Sequence, residues 1–517
     1  MAFIQGLFLF LSLLLTFLFF LYGFNHYYLL SAIRRYRVPN LSAEASSQRP
    51  PVSIHLPIYN EKYVICRLVE ACVGMAEEYG RDKVRISILD DSKDDTVQVV
   101  DDIVQEFIQR GYKIEVLRRP NRQGYKAGAL QMALERTEEE FIAIFDADYV
   151  PCPDFLVRTI PYFLQDEGLG IVQSRWTHLN RYYNMLTSAI AIGIDVHFFV
   201  EQTGRYAIKC LQNFNGSGGV LRKSALLEAG GWQADTLAED LDASYRMQLK
   251  GYRVLFLRDV ESPGEIPPTV PSFKKQQGRW ANGSLRTARK ILPQLLPDPK
   301  FRLAQRLEAL IHLTGYIIHP MMFISFLLAS LATIFNIDTF LIHTHMLTPL
   351  GGSFLALEPA TANVVHNLTW GVLDTLIILC MVAAWISPIV SLRVQGLMLR
   401  KNLSCLVVLY LLGAGISLSN TIEAAKALLS NRVWEFKRTP KYAILQDRQG
   451  WQSSKYQVPL DFEFFLELAS LILGVIAIII ALQRSQLPVL IILVPYTSAY
   501  AFVSWLTLRQ SRQSSVA

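Results

Sequence analysis

The sequence predicts an α/β domain with a mostly parallel sheet, inserted between apolar helices long enough to cross a bilayer. Three observations predict it. Between residues 50 and about 300, apolar runs of strand length alternate with helical patterns, the order expected of a parallel sheet with helices on both faces. Outside that region, apolar residues gather in blocks of about 20, enough to span a membrane. Acidic residues also stand directly after two of the apolar runs, where an open parallel sheet presents the carboxyl ends of its strands and binds ligands. Composition agrees. Of 517 residues, 51% are hydrophobic and only 18% charged, which is poor in charge for a soluble protein.

The first apolar block runs from 4 to 30 and is followed by Arg34, Arg35 and Arg37, with no positive residue before it. It lacks the basic leader of a cleaved signal. The positive-inside rule places the amino terminus outside and residue 34 onward in the cytoplasm. Segment 1–33 is therefore read as a transmembrane helix and 45–265 as a cytoplasmic domain. Its order is "VSIHLP" as a strand, a helix near 61–78, "VRISILDDS", a helix near 95–110, "KIEVLRR", a helix near 126–136, and "FIAIFDAD". Residues 268–296 mix Lys and Arg with Phe, Trp and Leu. They read as an amphipathic helix on the cytoplasmic membrane face, within an interface segment 266–305. The alternative is an ordinary surface helix.

Apolar blocks recur near 309–335, 371–391, 403–421, 463–482 and 487–508 and make up a membrane region, 306–508. The loop 336–370 has no Lys or Arg, whereas Arg393, Arg400 and Lys401 precede the 403–421 block and Lys426 to Lys441 follow it. Both flanks of that block are thus cytoplasmic, and it is expected to be re-entrant or interfacial. Five spans result, with a cytoplasmic loop at 430–460 and a short polar cytoplasmic tail at 509–517, too short for a regulatory domain.

Net charge is +6, and no basic run carries interleaved aromatics, so no nucleic-acid partner is expected. The six cysteines (66, 72, 152, 210, 380, 405) form no CxxC and read as reduced, without a disulfide framework or zinc site.

Asp146 and Asp148 flank an alanine at a strand end. Hard cations such as Mg2+ or Mn2+ take oxygen ligands, one or two carboxylates together with substrate phosphates. A metal held by Asp148, helped by Asp146, would stabilise a departing diphosphate; the plain alternative is an acidic turn. Asp90 and Asp91 also end a strand and can hold a ribose hydroxyl or a base edge, with a helix cap by Ser92 or Asp94 as the alternative. In "NRQGYKAGAL", Lys126 can reach a phosphate at a helix amino terminus. Neither a Walker nor a GxGxxG pattern is present. Glu239, Asp240 and Asp242 open an amphipathic helix, where acids suit the dipole. Functionally, one of them can serve as the base that inverting sugar transfer needs, without the nucleophilic carboxylate of a retaining hydrolase. In "QQGRW", Gln276 adds an amide, Arg279 a diphosphate-binding fork and Trp280 a flat apolar face. His197 stands four residues before Glu201, a spacing that can bind metal, but lining or core filling explains it better. His319 before Pro320 marks a helix kink.

In order, "LPIYNE", "LDDS", "GYKAGAL", "FDAD", "FNGSGG", "AED" and "QQGRW" resemble the processive, membrane-embedded family 2 glycosyltransferases. Within them the chain most resembles the cellulose-synthase-like A and C types, the mannan and glucan synthases, and their bacterial relatives. "GYKAGAL", "FNGSGG" and "EFKRTPKY" carry the finer likeness, and coverage runs from about 50 to 445. The resemblance implies a GT-A-type domain. It implies Asp91 at the nucleotide, Asp146 and Asp148 at diphosphate and metal, and Asp240 as base with Glu239 beside it. It also implies Gln276, Arg279 and Trp280 at diphosphate and acceptor sugar, Asn215, Gly216 and Ser217 lining the acceptor site, and 435–442 as a gating loop. Two departures stand out. The family's Thr-Glu-Asp reads Ala238-Glu239-Asp240, and Asn215 stands in a motif that carries Cys in true cellulose synthases.

The expected activity is polymerisation of glucose or mannose from UDP-glucose or GDP-mannose into a β-1,4-glucan or mannan, with export across the membrane. The alternative is a single transfer to a lipid such as diacylglycerol. Expected partners are a nucleotide-sugar donor, a glycan or lipid acceptor and membrane lipid, with an export partner or a homo-oligomer left open. The expected location is the plasma (inner) membrane.

Overall fold

The computed structural model describes residues 2–337, 379, 382–430, 441 and 460–516. Its helices in chain order are α1 (Ala2–Ala32), α2 (Ala43–Ser47), α3 (Ile65–Tyr79), α4 (Thr96–Gln109), α5 (Tyr125–Arg136) and α6 (Phe155–Gln165). Then come α7 (Met185–Val196), α8 (Thr203–Ala207), α9 (Lys223–Glu228), α10 (Glu239–Leu249), α11 (Val270–Leu295), α12 (Leu303–Leu313) and α13 (Ile318–Phe335). The last are α14 (Val382–Val394), α15 (Leu399–Gly415), α16 (Ser417–Leu429), α17 (Phe462–Gln483) and α18 (Leu490–Val516). The strands are β1 (Val52–Ile58), β2 (Val84–Asp90), β3 (Lys113–Leu117), β4 (Phe141–Ile144), β5 (Leu169–His178), β6 (Gly219–Arg222) and β7 (Arg253–Gly264). The chain divides into two compact units, one of residues 29–314 with 425–456, the other of 1–28, 315–424 and 457–516.

The first unit is built on a seven-stranded sheet of order β3-β2-β1-β4-β6-β5-β7. β1 pairs in parallel with both β2 and β4, and β2 in parallel with β3. β6 runs antiparallel to β4 and to β5. Side-chain alternation along the strands sorts the core onto two faces. Phe141 and Ala143 of β4, followed by Phe145, join Val52, Ile54 and Leu56 on the face covered by α3, α4 and α6. Ile142 and Ile144 turn to the other face, beside Leu130 of α5 and Leu226 of α9. This burial on both sides explains why "FIAIF" is apolar throughout, as central parallel strands are. β1 has β2 on one side and β4 on the other, so the chain switches direction of growth there, the place where open α/β sheets form a ligand crevice. The expected α/β architecture, with helices of membrane length before and after it in sequence, is the observed one.

α11 forms where the amphipathic helix is expected. Its apolar residues Ala288, Ile291 and Leu295 pack with Leu211, Tyr245, Ala309 and Leu313 of the same unit. At these positions the apolar side of the helix is buried inside this unit.

In the second unit, α13, α17 and α18 share a core of Phe326, Ala329, Ala332, Ala477, Ala481, Leu493 and Tyr500. Small residues let the helices approach, as membrane helix pairs require. A Cβ on Gly474 would stand 2.2 Å from Thr497 Oγ1. Among the described residues four helices are long and apolar enough to cross a membrane, Phe3–Arg35, Gly315–Phe335, Phe462–Gln483 and Leu487–Gln513, which marks an integral membrane protein. The first part of the expected span at 371–391 lies outside the described residues and its second part falls on α14; nearly all of the expected outer loop 336–370 and most of the expected gating loop also lie outside them. The block at 403–421 is a helix pair, α15 and α16, bent by 43°. Such a bend belongs to a broken span or to a re-entrant turn.

Candidate active site

A cleft opens at the carboxyl ends of β1, β2 and β4. Tyr59 follows β1 into it, Asp91 follows β2, and Asp146 and Asp148 follow β4. Lys126 enters from the first turn of α5, Glu239 and Asp240 from the first turn of α10, and Gln276, Arg279 and Trp280 from α11. The last three sit at i, i+3 and i+4, one face of a helix. Asp91, Asp148, Asp240 and Arg279, far apart in sequence, thus surround one space.

Asp146 and Asp148 are each met by a lysine. Lys126 Nζ lies 2.7 Å from Asp146 Oδ1 and 3.5 Å from Glu239 Oε1, and donates to Gly216 O at 2.9 Å. Burial works against the charge on Lys126, but Asp146, Glu239 and Asp240 outweigh it, and its pKa is raised. Lys441 pairs with Asp148 Oδ2. The other oxygen, Asp148 Oδ1, is buried without a hydrogen-bond partner, a costly state for a carboxylate oxygen unless a ligand completes it. Gln276 Oε1 is likewise buried and unpartnered. Among the described residues no group of three or more His, Cys, Asp or Glu side chains converges as a metal cage. A divalent ion here would rest on Asp148, with Asp146 near, and draw its remaining ligands from a bound phosphate or water. That mode suits Mg2+ and similar hard ions, and the orphaned Asp148 oxygen fits it.

Asp240 is half-buried in the wall of the cleft. Burial first, then the adjacent Glu239, push its pKa up to about 7, with Lys126 opposing. Gly216 makes room for it. That residue has a φ of +77°, and a Cβ there would stand 2.6 Å from Asp240 Oδ2. Asp242, the third acid of the run, points away and pairs with Arg246 and Lys290.

Three expected site residues lie outside the cleft lining. Asp90 has its carboxylate fully buried, pairing with Arg118 at 2.8 Å and accepting from Ser92 N at 2.9 Å; it is a strand-end cap rather than a nucleotide contact. Ser217 accepts from Asp146 N at 3.0 Å, and Gly216 receives Lys126. Both shape the acids from beneath rather than facing an acceptor. Asn215 does line the cleft. Its amide is held by Asn213 at 2.7 Å, Gln202 at 3.2 Å and His197 Nε2 at 3.2 Å. His197 also meets Glu201 at 3.0 Å, on a π-helical turn, His197–Gln202. These contacts make it a support for Asn215.

Sequence reasoning missed Trp176, Arg122 and, as a site residue, Lys441. Trp176 lines the cleft and meets Trp280 edge-on, centroids 6.4 Å apart. Arg122 stacks over Tyr59 at 3.4 Å. The available signals were a Trp at the end of a strand, "SRWTH", and the lysine in "EFKRTPKY".

A mostly parallel sheet with carboxylates just past its central strands, in a cleft that also takes a lysine from α5 and two acids from α10, is the arrangement of GT-A glycosyltransferases. The comparisons agree. The chain belongs to the glycosyl transferase family group 2, whose model matches residues 141–418; a glycosyl transferase family 2 model also matches 53–218. It is 37% identical over 284 residues to glucomannan 4-beta-mannosyltransferase 1 of Cyamopsis tetragonoloba, covering 53% of this chain and 54% of the relative. The enzyme of the same description from Oryza sativa subsp. japonica is 35% identical over 313 residues, 58% of this chain and 60% of the relative. These relatives bear out the likeness to the mannan-synthase type. The chain spans little more than half the length of the curated relatives it matches. Among solved structures, a mannosyltransferase from Pyrobaculum calidifontis in complex with GDP-Man and Mn2+ aligns with a TM-score of 0.50 at 20% identity, over 72% of this chain and 97% of that one. It carries the same fold.

Proposed function

We propose that this protein is a processive, inverting β-glycosyltransferase that adds glucose or mannose from a nucleotide-sugar to the 4-hydroxyl of a growing β-glycan, and that mannose from GDP-mannose is the favoured donor. The descriptions of the relatives as glucomannan 4-beta-mannosyltransferases support the sugar and the linkage. The observation that carries the reading is Asp240, a half-buried carboxylate with a raised pKa in the same cleft as the strand-end acids. A base whose pKa lies near the working pH removes a proton most effectively. Asp240 takes the proton from the acceptor hydroxyl, and Lys126 holds the neighbouring acids in place. Asp91 meets the nucleoside, Gln276 and Arg279 the diphosphate, while Trp280 and Trp176 wall the acceptor sugar. Asp148 and Asp146 would hold Mg2+ or Mn2+, which when bound supplies positive charge to the departing diphosphate. The positive-inside pattern supports a cytoplasmic domain in the plasma (inner) membrane, with domain limits at 45–265, 266–305 and 306–508 and product export through the membrane region.

The test offers GDP-mannose and UDP-glucose in parallel to membranes holding wild-type protein or Asp240→Asn. The expected result is a β-mannanase-sensitive chain from GDP-mannose, lost at least about a hundredfold in the variant, with donor binding retained. A chloroform-soluble product would replace the polymer reading with lipid glycosylation, and an active variant would remove Asp240 as the base.

A further inference from the structure

A second cavity, of about 980 Å3, opens in the α/β unit and shares no lining residue with the cleft. Its wall carries five cations, Arg35, Arg37, Lys209, Arg253 and Lys300, against one acid, Asp166. Asp166 is already taken by Arg253. Among the described residues no carboxylate pairs with the other four, and all four are exposed. Like charges gathered around one concavity repel each other and focus a positive potential that draws an anion in. Lys209 adds a second observation. It has a φ of +59° just past the end of α8, a position that favours glycine, yet the chain places a lysine there. Tyr206 and Phe301 contribute aromatic surface to the same wall.

Arginine forks and lysine ammonium groups together match phosphate oxygens. Arg35 is the last residue of the membrane-length helix Phe3–Arg35, so the cavity begins where that helix ends. A cluster of cations next to a membrane span is the pattern that anionic lipid headgroups recognise. We propose that this cavity binds a phosphate-bearing anion, with the headgroup of an anionic phospholipid as the source that Arg35 favours. The ligand would touch the loop of the cleft. Gln212 N donates to Gln248 Oε1 at 2.9 Å and Gln248 Nε2 returns a bond to Gln212 O at 2.7 Å, both residues line the cavity, and Asn215 follows three residues later. The proposal does not depend on which sugar is transferred.

The full chain, purified in neutral detergent, is titrated separately with dihexanoyl phosphatidylglycerol, dihexanoyl phosphatidylcholine and inorganic phosphate, and retained ligand is counted by native mass spectrometry. Wild type is expected to hold phosphatidylglycerol in preference to phosphatidylcholine. The double variant Lys209→Gln, Lys300→Gln should weaken this about twenty-fivefold, at roughly fivefold for each cation. Lys113→Gln, on the edge strand β3, should leave it unchanged. Both cavity lysines are exposed, so the double variant keeps the core intact. Binding of inorganic phosphate equal to that of the lipid, and lost in the same variant, would identify a soluble phosphate compound as the source. Undiminished binding of both ligands by the double variant overturns the proposal.

Discussion

On either side of β1, two strands end in acids, and the two pairs meet different fates. After β2, Asp90 is buried and consumed by Arg118 and the Ser92 amide, while Asp91 reaches the cleft gripped at both oxygens by Arg119. After β4, both acids reach the cleft, each is met by a lysine, and one oxygen of Asp148 has no partner. Adjacent residues on a strand point to opposite faces, whereas residues two apart share one. Asp90, the last residue of β2, and Asp91 therefore part into a structural and a cleft member, whereas Asp146 and Asp148 lie beyond the end of β4, in a turn closed by Tyr149 N donating to Asp146 O at 3.0 Å, and both reach the cleft. Placement relative to the strand end, rather than acidity, separates the two pairs.

The comparison can be broken by substitution. The largest effect is expected from Asp148→Asn. It removes charge where the diphosphate would leave, so turnover should fall at least about a hundredfold while the unfolding midpoint stays near that of wild type. Steady-state rates and thermal unfolding on the same preparation check this. The pH profile comes next. The raised pKa keeps Asp240 protonated below about 7, so its ionised form appears only as pH rises through that value. kcat/KM should therefore fall about tenfold per unit on the acid side, and a flat profile from pH 5 to 8 would reject Asp240 as the base. The smallest effect on rate belongs to Asp90→Ala. It strips an acceptor from Ser92 N and a partner from Arg118, so it should cost about 1–3 kcal/mol of stability and leave turnover per folded molecule within about twofold. If Asp90→Ala instead abolishes turnover without lowering stability, the structural reading of Asp90 fails.

Much of this was legible in the sequence because it rests on local pattern. The strand and helix order from 52 to 144 follows hydrophobic period, and the convergence of Asp91, Asp148 and Asp240 follows from strand ends and helix starts. What was not legible depends on contacts between distant residues. Nothing near Gly216 and Ser217 says that they serve Lys126 and Asp146 rather than an acceptor. Trp176 becomes a cleft wall only because β5 brings it against Trp280. The amphipathic pattern of 268–296 fits a membrane surface and a protein surface equally well, since both present apolar area; that Ala288, Ile291 and Leu295 meet Tyr245, Ala309 and Leu313 could not be read from it. Asn215 looked like a ligand contact, and the amides and imidazole that brace it come from residues 197, 202 and 213.

The stripe of Gln276, Arg279 and Trp280 on α11 has a mechanical consequence. The same rigid rod is anchored three turns further on, where Ala288, Ile291 and Leu295 are buried. Grip on one substrate and contact with the other are therefore yoked: a slide or roll of the rod shifts all three side chains in step. A lesion at the anchored end, remote from any sugar, would then degrade the handling of donor and acceptor alike.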